Sequence, residues 1–277
     1  RVLFRSWLDA GQIVEQGVTY QRYLHGEAEL RVAETIDRSG IGAAGLWLDA
    51  RGAARALQGG AGNDLYLVDD ALDSVSEADG AGVDTVRASI SFTLPSDVEI
   101  LRLGGLTNLD GTGGGGSQQL FGNAGNNRLD GGGGSDALHG GVGNDELVFD
   151  AADSLIDGES GLDTLRLDAS GVVLDLTQPN GPSLDGIERI DLGAGGNTLV
   201  LTVLDVMDLP DAAAAWLNAA TRQLLVTGEA GDTVQSLEQG WVRGADQMVG
   251  GESYASFTID GIAAQLLVDL ALTRQIT

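Results

Sequence analysis

The residues able to do chemistry in this chain are carboxylates set among glycines at a spacing of nine. Blocks of nine from Gly113 read GGGGSQQLF, GNAGNNRLD, GGGGSDALH, GGVGNDELV, FDAADSLID and GESGLDTLR. Their sixth position holds Gln118, Asn127, Asp136, Asp145, Ser154 and Asp163, and their eighth is always apolar: Leu120, Leu129, Leu138, Leu147, Ile156 and Leu165. Two similar blocks lie upstream and out of phase, GGAGNDLYL from Gly59 and DGAGVDTVR from Asp79, with Asp64 and Asp84 at the sixth position. Short carboxylates and main-chain carbonyls are oxygen donors, which suit a hard divalent cation. Zinc lacks its usual ligands, because the chain has no Cys and only His25 and His139. Catalysis finds no comparable support: HExxH, GxSxG and a phosphate-binding loop are all missing. GESG at Gly158 fails the nucleophile-elbow pattern because Ser160 is followed directly by Gly161, and a pair such as Asp69-Asp70 is expected by chance among 41 acidic residues. No residue is assigned a catalytic role.

Such carboxylates need tight turns to converge. Glycine at positions one, two and four (Gly59, Gly60, Gly62; Gly122, Gly125; Gly131, Gly132, Gly134; Gly140, Gly141, Gly143; Gly158, Gly161) permits positive φ, so six residues can turn with their carbonyls inward. The last three then form a short strand with the apolar residue inside. Composition agrees, with 43 Gly, and Asp in excess of Glu. A net charge of -26, with Arg as the only basic type, argues against nucleic acid and anionic membrane as partners. A hydrophobic content of 43% is enough for a folded core. No apolar run reaches the ~18 residues of a membrane span; the longest candidate, Ala212 to Ala220, is short and Ala-rich.

The block G-G-x-G-x-D-x-U-x resembles the nonapeptide of RTX (repeats-in-toxin, haemolysin-type calcium-binding) proteins. The resemblance implies an all-β fold: a parallel β-roll, in which two blocks make one coil, followed by a β-rich C-terminal domain. Blocks eighteen residues apart then stack, with Asn127, Asp145 and Asp163 in one column and Gln118, Asp136 and Ser154 in the other. Since a dication favours paired carboxylates, the strongest calcium site is expected between Asp145 and Asp163 and the next between Asn127 and Asp145. Sites in the opposite column should be weaker or empty, and Asp64 with Asp84 is expected to form a separate upstream site. Stacked carboxylates without a counter-ion would repel one another.

The resemblance extends beyond the repeats. Tyr66 to Gly104 is similar to the spacer that RTX proteins place between calcium blocks, and its alternation (Val83, Val86, Ile90, Phe92, Leu94, then Val98, Ile100, Leu101, Leu103) predicts strands between turns at Asp79-Gly80 and Pro95-Ser96. Residues 167–277 resemble the C-terminal region of RTX proteins exported by type I secretion, through Gly186-Ile187-Glu188-Arg189-Ile190-Asp191, Asn197-Thr198-Leu199, Asp205 to Leu209, Ala230 to Val234 and Trp241. The ending TRQIT departs from the mostly apolar and acidic tail of that family. Trp216 and Trp241 are expected in the core or an interface, and His139, at a ninth position, on the solvated surface.

Residues 1–56 carry no nonapeptide. Arg1 to Ser6 (RVLFRS) reads as translated sequencing adapter, and Gln12 to Val32 is similar to Gln247 to Val268, each read as a hairpin with His25-Gly26 or Asp260-Gly261 at its turn. The expected organisation is a truncated N-terminal segment (1–56, with 8–36 the hairpin of a preceding module), a calcium-binding roll with its spacer (57–166), and a C-terminal domain with the export signal (167–277). The expected function is a non-catalytic calcium-binding module, extracellular or on the cell surface of a bacterium, that folds on calcium after type I export. Its partners would be calcium ions, the secretion machinery and cell-surface or matrix ligands. Two passengers stay open at this point, an adhesin and a secreted hydrolase such as a protease or lipase.

Overall fold

The computed structural model describes residues 8–15, 18–25, 28–33, 47–49, 56–59, 62–77, 82–178, 181–209, 221–237 and 239–276. The nonapeptide sets the architecture. Each block places a three-residue strand whose middle residue points inward, because successive strand side chains alternate between faces. Leu120, Leu129, Leu138, Leu147, Ile156 and Leu165 are all fully buried. Consecutive blocks feed opposite sheets. Gln119–Phe121, Ala137–His139 and Leu155–Asp157 stack in parallel, with Leu120 beside Leu138 and Leu138 beside Ile156. Arg128–Asp130, Glu146–Val148 and Thr164–Arg166 stack the same way across the core, aligning Leu129, Leu147 and Leu165. Each such Leu contributes about 1.5–3 kcal/mol through burial. This is a parallel β-roll, and among the described residues the regular structure is all strand apart from one short helix at Val203–Asp208.

The spacer adds a coil of its own. Ile100–Leu103 joins the first sheet between Thr85–Ala88 and Gln119–Phe121, and Phe92–Thr93 begins the second, next to Asp110–Thr112. The upstream blocks also stack, with Tyr66 beside Val86, although they lie twenty residues apart. A register tolerant of extra residues in the turns explains how blocks out of phase in sequence fall in phase in space.

Parallel pairing runs on past residue 166. Arg189–Asp191 pairs with Thr164–Arg166, Arg222–Thr227 with Arg189–Asp191, and Ala264–Asp269 with Arg222–Thr227. A third sheet stacks Val173–Asp175, Thr198–Leu201, Thr233–Ser236 and Thr273–Gln275. Trp241 is buried here and donates its indole N–H to Ser236 Oγ at 2.9 Å; Trp216, Ala212 to Ala220 and the Asp79-Gly80 turn lie outside the described residues.

Antiparallel strands lie at opposite ends of the two large sheets. Leu8–Glu15, Val18–His25 and Ala28–Ala33 form one set, and Gln247–Val249, Glu252–Ile259 and Ala264–Asp269 the other. Their second hairpins share a register: Tyr20 faces Ala33 as Tyr254 faces Asp269, and Tyr23 faces Leu30 as Phe257 faces Leu266. The turn positions differ from the sequence expectation. His25 pairs with Ala28 and so belongs to the strand. Asp260-Gly261 lies in a longer connection between Ile259 and Ala264, where Ile262 N–H closes on Ile259 O at 3.2 Å and Gly261 takes φ +77°.

Candidate metal centre

The sixth-position side chains form a hydrogen-bonded ladder along each column. Asn127 N–H donates to Asp145 Oδ1 and Asp145 N–H to Asp163 Oδ1, both at 2.7 Å across eighteen residues. In the opposite column Gln118 N–H donates to Asp136 Oδ1 at 2.7 Å, and upstream Asp64 N–H donates to Asp84 Oδ1 at 2.6 Å. One carboxylate oxygen of each Asp is therefore held by the neighbouring coil. The other oxygen, Oδ2 of Asp84, Asp136, Asp145 and Asp163, is buried without any hydrogen-bond partner.

Glycine makes room for this arrangement, and its role varies with position. At position one the need is space: a Cβ on Gly140 would stand 2.6 Å from Gly158 O and 2.7 Å from Asp145 Oδ2. Gly122, Gly131 and Gly158 lie equally close to Asn127, Asp136 and Asp163, and none of the four adopts positive φ. Gly125 and Gly161 are likewise crowded by carbonyls of the preceding coil. Positive φ, expected at all three positions, is confined to the second and fourth, as at Gly141 (φ +102°) and Gly143 (φ +134°), with Gly132, Gly134 and Gly62 alike. Carbonyls and carboxylates thus crowd together where any larger residue would intrude.

Burial without a partner penalises the anionic form of these acids. Desolvation pushes Asp145 up to about 6 and Asp163 up to about 8, where the nearby charges of Asp145, Glu188 and Asp157 add to the rise. Asp136 and Asp84 are raised for the same first reason. An unpaired buried oxygen on each of two stacked carboxylates, each sharing its turn with a glycine carbonyl (Gly158 O beside Asp145, Gly186 O beside Asp163), fits a hard dication, which would supply the missing positive charge and accept oxygen donors. Asp145 and Asp163, adjacent in one column, meet that description together.

The other expected residues fall as follows. Asn127 stacks on Asp145, but its Oδ1 already accepts from Asn123 N–H (2.8 Å) and its Nδ2 donates to Leu109 O (2.7 Å). Ser154 turns its hydroxyl onto Asp136 O at 2.8 Å, and it is Asp153 whose Oδ1 receives Asp136 N–H at 3.2 Å. Upstream, Asp64 and Asp84 meet Glu77, all three offering carboxylate oxygens within 4.8 Å of one another. Tyr66 donates its hydroxyl to Glu77, whose carboxyl is pushed up to about 7, chiefly by burial. Gly59 closes this turn through its N–H on Ser76 O at 3.3 Å, and Gly60 lies outside the described residues.

Sequence reasoning missed Glu77, Glu99, Asp153 and Glu188. Glu99 Oε2 accepts from Asp84 N–H and Glu188 Oε2 from Asp163 N–H, at 2.7 and 2.8 Å. Both stand just before a stacked strand, which is the one signal that could have found them. His139 is not a free surface side chain as expected: its ring stacks on Phe121 at 4.6 Å, Phe121 packs under Arg102, and His139 Nδ1 lies 3.3 Å from Glu159 Oε1.

Residues 112–147 match the family model of the RTX calcium-binding nonapeptide repeat, in four copies. Comparison with curated proteins returns no match. The matched stretch contains the ladder around Gln118, Asn127, Asp136 and Asp145, and its oxygen-only turns are the calcium-binding element of that repeat. Roll, turns and the repeat match at residues 112–147 support an RTX-type protein, and nonapeptide repeats of this type bind calcium.

Proposed function

We propose that the chain is a non-catalytic module of a larger secreted bacterial protein, an adhesin, and that calcium outside the cell orders it after passage through a type I export machinery. Asp145 and Asp163 are its principal calcium ligands, with Asp136 and the Asp64–Asp84 pair, joined by Glu77, as further sites. Residues 167–277 carry the export signal. The observation that supports this reading best is the pair of buried, unpartnered Oδ2 atoms on adjacent coils of one column. In low cytosolic calcium those carboxylates oppose closure, and the -26 chain stays expanded. Extracellular modules of this kind bind with Kd of roughly 10⁻⁴ to 10⁻³ M, and binding to the folded state alone shifts the equilibrium toward it. Among the described residues no helix is long and apolar enough to cross a membrane, which leaves β-barrels unaddressed.

The test is far-UV circular dichroism of the full chain during a calcium titration, with magnesium as control. A cooperative gain of β-signal specific to calcium, moved to higher calcium by Asp145→Ala and by Asp163→Ala, is the expected result. An identical spectrum in EGTA, calcium and magnesium would remove calcium-triggered folding from the account.

A further inference from the structure

Not every coil of the roll poses the same electrostatic problem. Where the ladder position is Asp136, Asp145 or Asp163, one oxygen is held and the other is buried without a partner. Where it is an amide, both ends of the side chain are used. Gln118 accepts from Gly114 N–H at 2.5 Å and donates Nε2 to Val98 O (2.6 Å) and Pro95 O (2.9 Å). Asn127 accepts from Asn123 N–H and donates Nδ2 to Leu109 O. Asn197, in the third sheet, accepts from Val172 N–H at 2.7 Å and donates Nδ2 to Leu192 O (2.6 Å) and Ala169 O (2.9 Å). All three are buried. A carboxylate can only accept, so beside inward carbonyls it needs a cation; a neutral amide brings its own donors and needs none.

We propose that Gln118, Asn127 and Asn197 stand in for bound cations, satisfying with side-chain N–H groups the carbonyl oxygens that a metal would otherwise collect, and so decide which coils close without calcium. The inference rests on the reading that the Asp turns take calcium. It removes Asn127 from the ligand set, in contrast to the Asn127–Asp145 site expected from spacing. It also divides the roll. The calcium-requiring stretch from Asp136 to Asp163 lies between amide-closed coils, one at Gln118 and Asn127 and one at Asn197, which hold their shape first and template the rest.

The full chain is tested by hydrogen–deuterium exchange in EGTA and in calcium, with bound calcium counted by equilibrium dialysis. In EGTA, amides of residues 119–129 should exchange at least tenfold more slowly than those of 137–166. Asn127→Asp should abolish that protection in EGTA and add one bound calcium per chain. Asp145→Asn, the reverse exchange, should remove one calcium and keep the roll folded when calcium is present, which keeps the test decisive should Asn127→Asp not fold. Uniform exchange in EGTA, or a calcium count unmoved by both substitutions, overturns the inference while leaving calcium binding intact. A parent chain that binds no calcium overturns the calcium reading itself, and this inference with it.

Discussion

At the scale of single residues the roll is a set of carboxylates whose comfort depends on what shares their turn. Asp145 and Asp163 keep their protons up to about pH 6 and about pH 8 in the metal-free fold, against an ordinary value of 3.8. Between those limits the folded state binds more protons than the unfolded one. The metal-free roll therefore has its full share of this stability below about pH 4 and loses it as pH rises through 6 and then 8. Thermal melts in EGTA should show a higher midpoint at pH 5 than at pH 9, and a flat profile would count against buried, unpaired carboxyls. Saturating calcium should reverse the order, because only the deprotonated carboxylate is a ligand. Glycines give a second contrast. Gly140→Ala places a methyl against Gly158 O and Asp145 Oδ2, and such overpacking costs about 1–3 kcal/mol; it should raise the calcium midpoint in a dichroism titration. Gly133→Ala meets nothing within 4 Å and should change stability by less than about 0.5 kcal/mol, measured in the same experiment.

At the scale of elements, each three-residue strand is too short to persist alone and is held by the coils on either side. Leu147 is fully buried between Leu129 and Leu165, so Leu147→Ala should cost about 2–5 kcal/mol in urea unfolding with calcium present. The sequence discloses this part of the fold plainly, because equal blocks give equal strands and a Leu or Ile recurs at the eighth position of all six blocks from Gly113. Legibility ends where the offset changes. Asp163 and Glu188 are ladder neighbours twenty-five residues apart, because the chain adds a strand in the third sheet, Val173–Asp175, between them. A search at period nine passes over Glu188 for that reason. Glu77 was hidden differently: it lies outside any nonapeptide and reaches Asp64 and Asp84 only through the stacking of Ser74–Ser76 on Ala56–Gln58. The distinction between Asn127 and Asp145 was illegible too, since which atom donates to which carbonyl depends on the depth of the turn and not on spacing.

At the scale of the whole molecule, the chain advances coil by coil, and within the nonapeptide array each coil pairs with the one eighteen residues before it. Fully extended, eighteen residues span about 60 Å, whereas adjacent strands in a sheet are about 4.8 Å apart. Closing one coil therefore shortens the end-to-end distance more than tenfold. The roll is a contractile thread: under tension it should lengthen in discrete steps of roughly 55 Å, one for each coil released, and calcium should raise the force at which those steps occur. Optical-tweezer traces of the chain held by its two ends would display such a staircase, and a single all-at-once extension in calcium and EGTA alike would deny it. A protein anchored at one end and gripping at the other would then convert an ion gradient into pull.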